Sequence, residues 1–385
     1  MNFEMIENDV DGAVIKVVGV GGAGGNAVNH MISANVQGVE FIVLNTDKQA
    51  LKRSLAERTI QLGDIGLGAG ARPEAGRAAA EAMREYIRTS LEGANMVFLT
   101  AGMGKGTGTG ASPVVAEIAK EMGILTVGVV TKPFEFEGAK KLQIAEHGIE
   151  QLVQHVDSLI VVLNQKLFEV MEDDASLEDA FRRADDVLHN AVAGIAEIIN
   201  VPGLVNVDFA DVKTVMSEQG KAMMGIGESA GLDRARIAAE QAVSSPLLDG
   251  VDLQGARGVI VNITANRSLK LKETNDVINT IKAFCADDAT IIHGTVFEED
   301  MGDRLRVTVV ATGIGRRSAK PVLVPQAQLR TGTDSAVGHN PNYEQFEQPT
   351  VWRSPRASAA AQVQALEDSG VERFDIPAFL RKQAD

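Results

Sequence analysis

MVFLTAGMGKGTGTG, residues Met96 to Gly110, decides how this chain is read. Met96–Thr100 is a short apolar run, the pattern of a strand covered on both faces. Ala101–Gly110 then places five glycines in ten residues, and a helical pattern runs from about Ala111 to Met122. Glycine lets the backbone approach a ligand closely, and the free N–H groups of a helix start favour an anion, so the segment reads as a phosphate-binding turn. It is not the lysine-containing phosphate loop, because Gly106 follows Lys105 where that motif needs Ser or Thr, and Leu99 stands where it needs its first glycine.

A second turn of the same kind lies upstream in VVGVGGAGGNAVNHM, Val17 to Met31. A strand over Ile15–Val18 runs into Gly19, Gly21, Gly22, Gly24 and Gly25, with a helix expected from about Asn26. Gly19 to Gly24 satisfies G-x-G-x-x-G, which keeps a nicotinamide-dependent oxidoreductase open. A dinucleotide fold needs only this first loop, however. Two glycine-rich loops at the ends of parallel strands can hold different phosphates of one nucleotide, and Thr107 and Thr109 add hydroxyl donors.

Working outward, Ala13–Val20, Phe41–Leu44, Met96–Thr100, Ile124–Val130 and Ser158–Leu163 read as buried strands, most followed by a helical pattern. Repeated β-α units imply an α/β fold, a parallel sheet with helices on both faces. Leu177–Asn200 has apolar residues at helical spacing and makes a rod of about 36 Å at 1.5 Å per residue. After Pro202 and Gly203 comes a smaller α+β unit: a helix near Asp233–Val243, a strand Gly258–Thr264, a helix Glu273–Phe284, and strands Ala289–Val296 and Arg304–Ala311. The divisions expected are a flexible start at 1–12, a nucleotide domain at 13–176, a core helix at 177–200, a loop and connecting helix at 201–220 and a second domain at 221–315. A disordered linker at 316–370 and a docking peptide at 371–385 complete them. Six of the eleven prolines fall in the last 70 residues, where no apolar periodicity is sustained before about Gln364.

Composition sets outer limits. Of 385 residues, 37 are Lys or Arg and 52 Asp or Glu, a net charge of −15 that repels nucleic acid and anionic membrane surfaces. The single cysteine, Cys285, excludes an intrachain disulfide. No apolar run approaches the ~20 residues needed to cross a bilayer. The start MNFEMIENDVDG has neither a basic nor an apolar leader region. A cytoplasmic protein is expected, without nucleic acid or direct membrane insertion. Six histidines, His30, His147, His155, His189, His293 and His339, show no metal-ligand spacing, so core or surface roles are expected and no protein metal site.

G-x-G-T-G-T-G after a strand resembles the signature loop of the tubulin/FtsZ GTPase family. GVGGAGGNAVNHM, VEFIVLNTD, GLGAGARPEAG, VTKPFEFEG, NVDFADVKTVMSEQG, SSPLL and VTVVATGIG follow in the family's order and spacing between about Ala13 and Gly315, and DIPAFLRKQAD at Asp375–Asp385 resembles its tail peptide. The resemblance implies a GTP/GDP site. Gly21, Gly22, Ala23, Gly24, Gly25 and Asn26 would surround the α- and β-phosphates. Gly104, Lys105, Gly106, Thr107, Gly108, Thr109 and Gly110 would wrap the β- and γ-phosphates, and Ala69, Gly70 and Ala71 would close over the γ-phosphate. Pro133 and Glu137 would meet the ribose, with Lys141 near ribose or phosphate. Asn164, Phe181 and Asp185 would hold guanine, Phe181 by stacking and Asp185 by accepting from the base N1–H and exocyclic amine.

The resemblance further implies that Asp208 and Asp211, helped by Asn206 and Mg²⁺, polarise a water for attack on the γ-phosphate of a neighbouring subunit. Helix rise separates them by roughly 25 Å from the base-binding end of the long helix. Such head-to-tail contact propagates a filament, the family's division ring. On local sequence alone Asp211 reads equally well as a first-turn residue before Val212. The tail residues Asp375, Ile376, Pro377, Phe379, Leu380 and Arg381 would dock on membrane-tether proteins such as FtsA and ZipA.

Four positions depart from the family's pattern. Lys105 replaces a glycine, which would cost on the order of 1 kcal/mol if the position needs positive φ. Lys141 replaces an arginine, a point charge for a bidentate one. Leu163 and Gln165 flank Asn164 in place of proline and an acid. A GTP-binding filament scaffold with little hydrolysis, because of Lys105 and Lys141, is therefore the alternative to an efficient GTPase.

Overall fold

Six buried residues in a row, Ile15–Val20, form strand β1 at the heart of the sheet. The run is continuous because Ile15 and Val17 face one apolar layer while Val18 and Val20 face the other. Lys16 interrupts it harmlessly: its ammonium donates to the carbonyl oxygens of Ser90 and Glu92 and lies 3.3 Å from Glu40. The structure, a computed structural model, describes residues 12–168, 171, 174–201, 207–218, 220–248, 255–286 and 289–314.

After β1 come α1 (Gly21–Ser33), β2 (Val39–Asn45), α2 (Lys48–Lys52), β3 (Arg58–Gln61), α3 (Pro73–Ala82), α4 (Arg84–Leu91) and β4 (Met96–Gly102). Next are α5 (Thr107–Glu121), β5 (Leu125–Lys132), α6 (Ala139–Leu152), β6 (Ser158–Leu163), α7 (Asn164–Phe168) and α8 (Leu177–Asn200). The chain continues through α9 (Phe209–Met216), β7 (Gly220–Ala230), α10 (Arg234–Val243), β8 (Gly258–Ala265), α11 (Leu271–Lys282), β9 (Thr290–Phe297) and β10 (Arg304–Ile314).

The ten strands among the described residues belong to one sheet in the order β3-β2-β1-β4-β5-β6-β7-β10-β8-β9. Pairing is parallel from β3 across to β6, as β-α repeats require. Strand β7 joins in parallel to β6 over Ser158–Ile160 alone, then runs antiparallel to β10. The second unit's strands thus continue the first unit's sheet by a three-residue seam.

Helix α8 crosses that seam. Ser176 caps it, its hydroxyl accepting the Asp179 N–H at 3.1 Å while the Asp179 carboxylate accepts the Ser176 N–H at 3.2 Å. Its buried stripe of Ala184, Val187, Leu188, Ala191, Val192 and Ile195 joins α1 and β5 in one core.

The helices after both glycine-rich turns begin earlier than the sequence suggests, at Gly21 rather than about Asn26 and at Thr107 rather than about Ala111. Glycine's low helix propensity hides these first turns. The first four N–H groups of a helix have no intrahelical partner in any case, and here no side chain caps them.

Candidate functional site

The C-terminal ends of β1 and β4 deliver two helix starts to one cleft of about 490 Å³. Gly22, Ala23 and Asn26 enter it from the first turns of α1, and Lys105, Gly106, Thr107 and Gly108 from the turn into α5. Neither helix has a side chain capping its leading N–H groups, so both dipoles and both sets of donors face the opening. Thr46 at the end of β2 fixes Thr107, their hydroxyl oxygens 2.6 Å apart. Ala69 and Ala71 close the side; Ala71 holds φ at 57°, a left-handed conformation uncommon for alanine.

Pro133, Glu137, Asn164, Phe181 and Asp185 form the other end. Phe181 stands edge-on to the buried Phe134 ring, centroids 5.4 Å apart, and Phe134 in turn stacks on Phe136 at 5.0 Å. Phe181 is 42% exposed, so one flank of the ring is available to a planar group. Asn164 is 4% exposed, and its Oδ1 is buried without a hydrogen-bond partner. An unpaired carbonyl oxygen in a cleft wall can accept a donor from a ligand or a water. Burial pushes the Asp185 carboxyl up to about 6; the His30 charge pulls it down and Asp186 pushes it further up.

The remaining expected phosphate residues stand behind this surface. Gly21 and Gly24 are buried in α1, and Gly25 and Gly70 do not line the cleft. Thr109 is buried, its hydroxyl accepting the Gly104 N–H at 2.9 Å, and Gly110 packs against the start of α3. Lys141 lies outside the lining, its ammonium 3.2 Å from the Glu137 carboxylate, which also accepts the Phe134 N–H. Gly102, Met103, Thr131 and Ala184 line the cleft as well. Of these, Gly102 and Met103 lay within the quoted loop, whereas Thr131 and Ala184 carry no local signal.

The departure at Lys105 is relieved by its neighbour. Gly104 takes the left-handed turn at φ 101°, and Lys105 is absent from the positive-φ residues, so the expected strain does not arise. Its side chain is exposed at the cleft and has no ion-pair partner among the described residues.

Asp208 and Asp211 lie elsewhere. Asp208 precedes α9, its carbonyl accepting the Asp211 N–H at 3.0 Å and the Val212 N–H at 3.2 Å. Neither carboxylate caps the helix or has a side-chain partner among the described residues, and both are exposed. Asn206, the linker at 316–370 and the peptide residues Asp375, Ile376, Pro377, Phe379, Leu380 and Arg381 fall outside the described residues. Among the described residues no three His, Cys, Asp or Glu side chains converge as a metal cage.

Fold and cleft together define a nucleotide-binding α/β protein whose site is built from two helix starts and a base-sized slot. Residues 14–172 match the tubulin/FtsZ family, GTPase domain, and residues 220–315 match the FtsZ family, C-terminal domain. The chain belongs to the tubulin/FtsZ family and carries its GTPase domain. It is 54% identical to the cell division protein FtsZ of Pseudomonas putida and 55% identical to that of Pseudomonas aeruginosa, each over 100% of both chains. A solved structure of an empty FtsZ dimer from M. jannaschii is 45% identical, covers 78% of this chain and 88% of its own, and superposes with a TM-score of 0.76. CetZ2 from Haloferax volcanii, at 20% identity and a TM-score of 0.65 over 79% of this chain and 94% of its own, shares the fold.

Proposed function

We propose that the chain polymerises head to tail into filaments of the bacterial cell-division ring and hydrolyses GTP at the joint between successive subunits. The names of its full-length relatives support the division role. One observation carries the joint-site reading: the two acids lie outside the nucleotide cleft, exposed and without a side-chain partner among the described residues. The cleft meets α8 at Phe181 and Asp185, near its start; α9 follows its far end, roughly 25 Å away by helix rise. A second molecule stacked end to end would bring those acids to the first molecule's γ-phosphate.

In this reading Phe181 stacks on guanine, and Asp185 as a carboxylate accepts from N1–H and the exocyclic amine, a donor pair adenine lacks. Asn164 Oδ1 takes a further donor. The N–H groups opening α1 and α5, with the Thr107 hydroxyl, hold the phosphates, and Lys105 adds a positive charge. Asp208 and Asp211 orient a water in line with the γ-phosphorus and draw off its proton as the bond to the β-phosphate oxygen breaks, giving GDP and phosphate. Mg²⁺ fits this donor set, since it keeps waters and phosphate oxygens as ligands rather than needing a cage of side chains. Bound with the nucleotide, it would offset phosphate charge. The peptide at 371–385 would hold the filament to membrane-tether proteins of the FtsA and ZipA kind.

The scaffold alternative draws on Lys141, held by Glu137 outside the cleft lining. GTP turnover against protein concentration separates the two. The expected result is turnover per molecule that rises cooperatively with assembly and is lost in Asp211→Ala, while GTP binding and filaments persist. Equal turnover in both proteins, or in monomers too dilute to associate, overturns the joint-site reading; filaments with near-zero turnover favour the scaffold.

A further inference from the structure

Pairing between β6 and β7 ends at Ile160, and a cleft of about 940 Å³ opens between α7 and β7 beyond it. On its wall three titratable side chains of α1 and α8 meet. His30 Nε2, in the last turn of α1, lies 2.9 Å from the Asp186 carboxylate, and the His30 ring stands edge-on to His189 with centroids 5.9 Å apart. Asp185, next to Asp186, lines the nucleotide cleft instead. Helix α1 therefore has its first turns in the nucleotide cleft and its last turn on the charges beside the base-reading acid.

Resting on the reading of Asp185 as the guanine acceptor, we propose that His30 is a positioning residue for base recognition. Paired with Asp186, it fixes this turn of α8 against α1 and keeps Asp185 a carboxylate, so that nucleotide affinity depends on pH through a residue that does not touch the nucleotide.

The packing holds His30 in this role. Ala27, Val28 and Met31 of α1 pack in one core with Ala184, Val187 and Leu188 of α8, so the pair bridges two elements already in register. Asp185 is raised chiefly by burial; among its charged neighbours His30 lowers it and Asp186 raises it. His189 is pushed below the ordinary histidine range, first by burial, with its Asn190 hydrogen bond and Asp186 opposing and His30 and Arg306 adding to the fall. It therefore tends to neutrality. The other charges facing the group are Arg183 on α8, 3.9 Å from Asp186, Lys166 on α7, Glu228 on β7 and Arg306 on β10, the last 3.0 Å from Glu298, and Lys105 and Glu137 line the nucleotide cleft with Asp185.

The test measures GDP affinity of the full chain from pH 5 to 8, below the concentration of assembly, for the unaltered protein, His30→Gln, His30→Lys and Asp185→Asn. Affinity of the unaltered protein is expected to fall as pH drops through about 6. Asp185→Asn lacks this component, and its residual slope reports the diphosphate's own protonation. His30→Gln, which lacks the imidazole, moves the midpoint up by about one pH unit, and that shift alone reduces affinity near pH 6.5 by about threefold. His30→Lys, which keeps a positive charge, brings the midpoint back to the unaltered value or below. Superposed profiles for all three His30 forms overturn the inference; so does an equal loss in His30→Gln and His30→Lys with an unmoved midpoint, the mark of packing alone. Asp185→Asn binding as tightly as the unaltered protein would instead bring down the guanine reading, and this inference with it.

Discussion

Gly110 on α5 faces the carbonyl oxygen of Pro73 at the start of α3 so closely that a Cβ on Gly110 would overlap it. Gly22, in the other glycine-rich turn, has nothing within 4 Å of its Cβ position and lines the cleft. Two glycines that look alike in the sequence therefore have different duties. Gly110→Ala is expected to lower stability by about 2 to 3 kcal/mol through forced separation of α3 and α5, read as a lower urea midpoint at unchanged slope. Gly22→Ala should leave that midpoint at or above its original value, because alanine favours the helix, while weakening nucleotide binding by crowding the phosphates.

Asn164 makes the converse case. Its unpaired Oδ1 is a buried group whose desolvation costs about 1 to 3 kcal/mol unless a ligand donor arrives. Asn164→Leu, similar in branching and shape, should be as stable as the unaltered protein or more so without nucleotide, yet bind GDP on the order of tenfold or more weakly. Thermal melts with and without GDP check both halves: the ligand-induced rise should shrink while the ligand-free melt does not fall.

The sequence made the parallel half of the sheet legible because its strands are unbroken apolar runs, and α8 because its apolar stripe keeps helical spacing. It did not reveal β7. Gly225 and Gly227 occupy that strand because α10 packs on its backbone; Cβ atoms there would overlap the carbonyl oxygens of Ala242 and Ala238. Close helix packing thus removed the β-branched residues by which a strand is recognised. Strand β3, Arg58–Gln61, escaped notice because four half-polar residues at a sheet edge have no periodicity to show. In the cleft, residues of the two glycine-rich loops were readable as motifs. Thr131 and Ala184 were not, since each reaches the cleft only through the register of β5 or the rotation of α8.

Lys105 tests whether the departure in the signature loop is a handicap. With the left-handed turn taken by Gly104, Lys105→Gly relieves no strain and should lower stability by roughly 0.5 to 1 kcal/mol through chain entropy. Losing an exposed positive charge at the phosphate end should also weaken GTP binding and flatten its dependence on salt. Affinities at two ionic strengths measure this. A Lys105→Gly protein that binds GTP as tightly at both as the unaltered chain would show that the ammonium points into solvent.

Glu197 on α8 gives the fold a pH dependence of its own. Burial pushes its carboxyl up to about 7; Arg306 pulls it down and Glu298 pushes it up. Since an unfolded glutamate titrates near ~4.3, the folded state binds the extra proton between these values. Its contribution is fully present below the unfolded value and is lost as pH rises through about 7. Glu197→Gln, which keeps the neutral shape, should match the unaltered protein near pH 4.5. At pH 8 it should be more stable by about 3 to 4 kcal/mol. Urea unfolding of both proteins across that range measures the difference directly. A constant difference at every pH would mean that Glu197 is as hydrated in the fold as in the open chain.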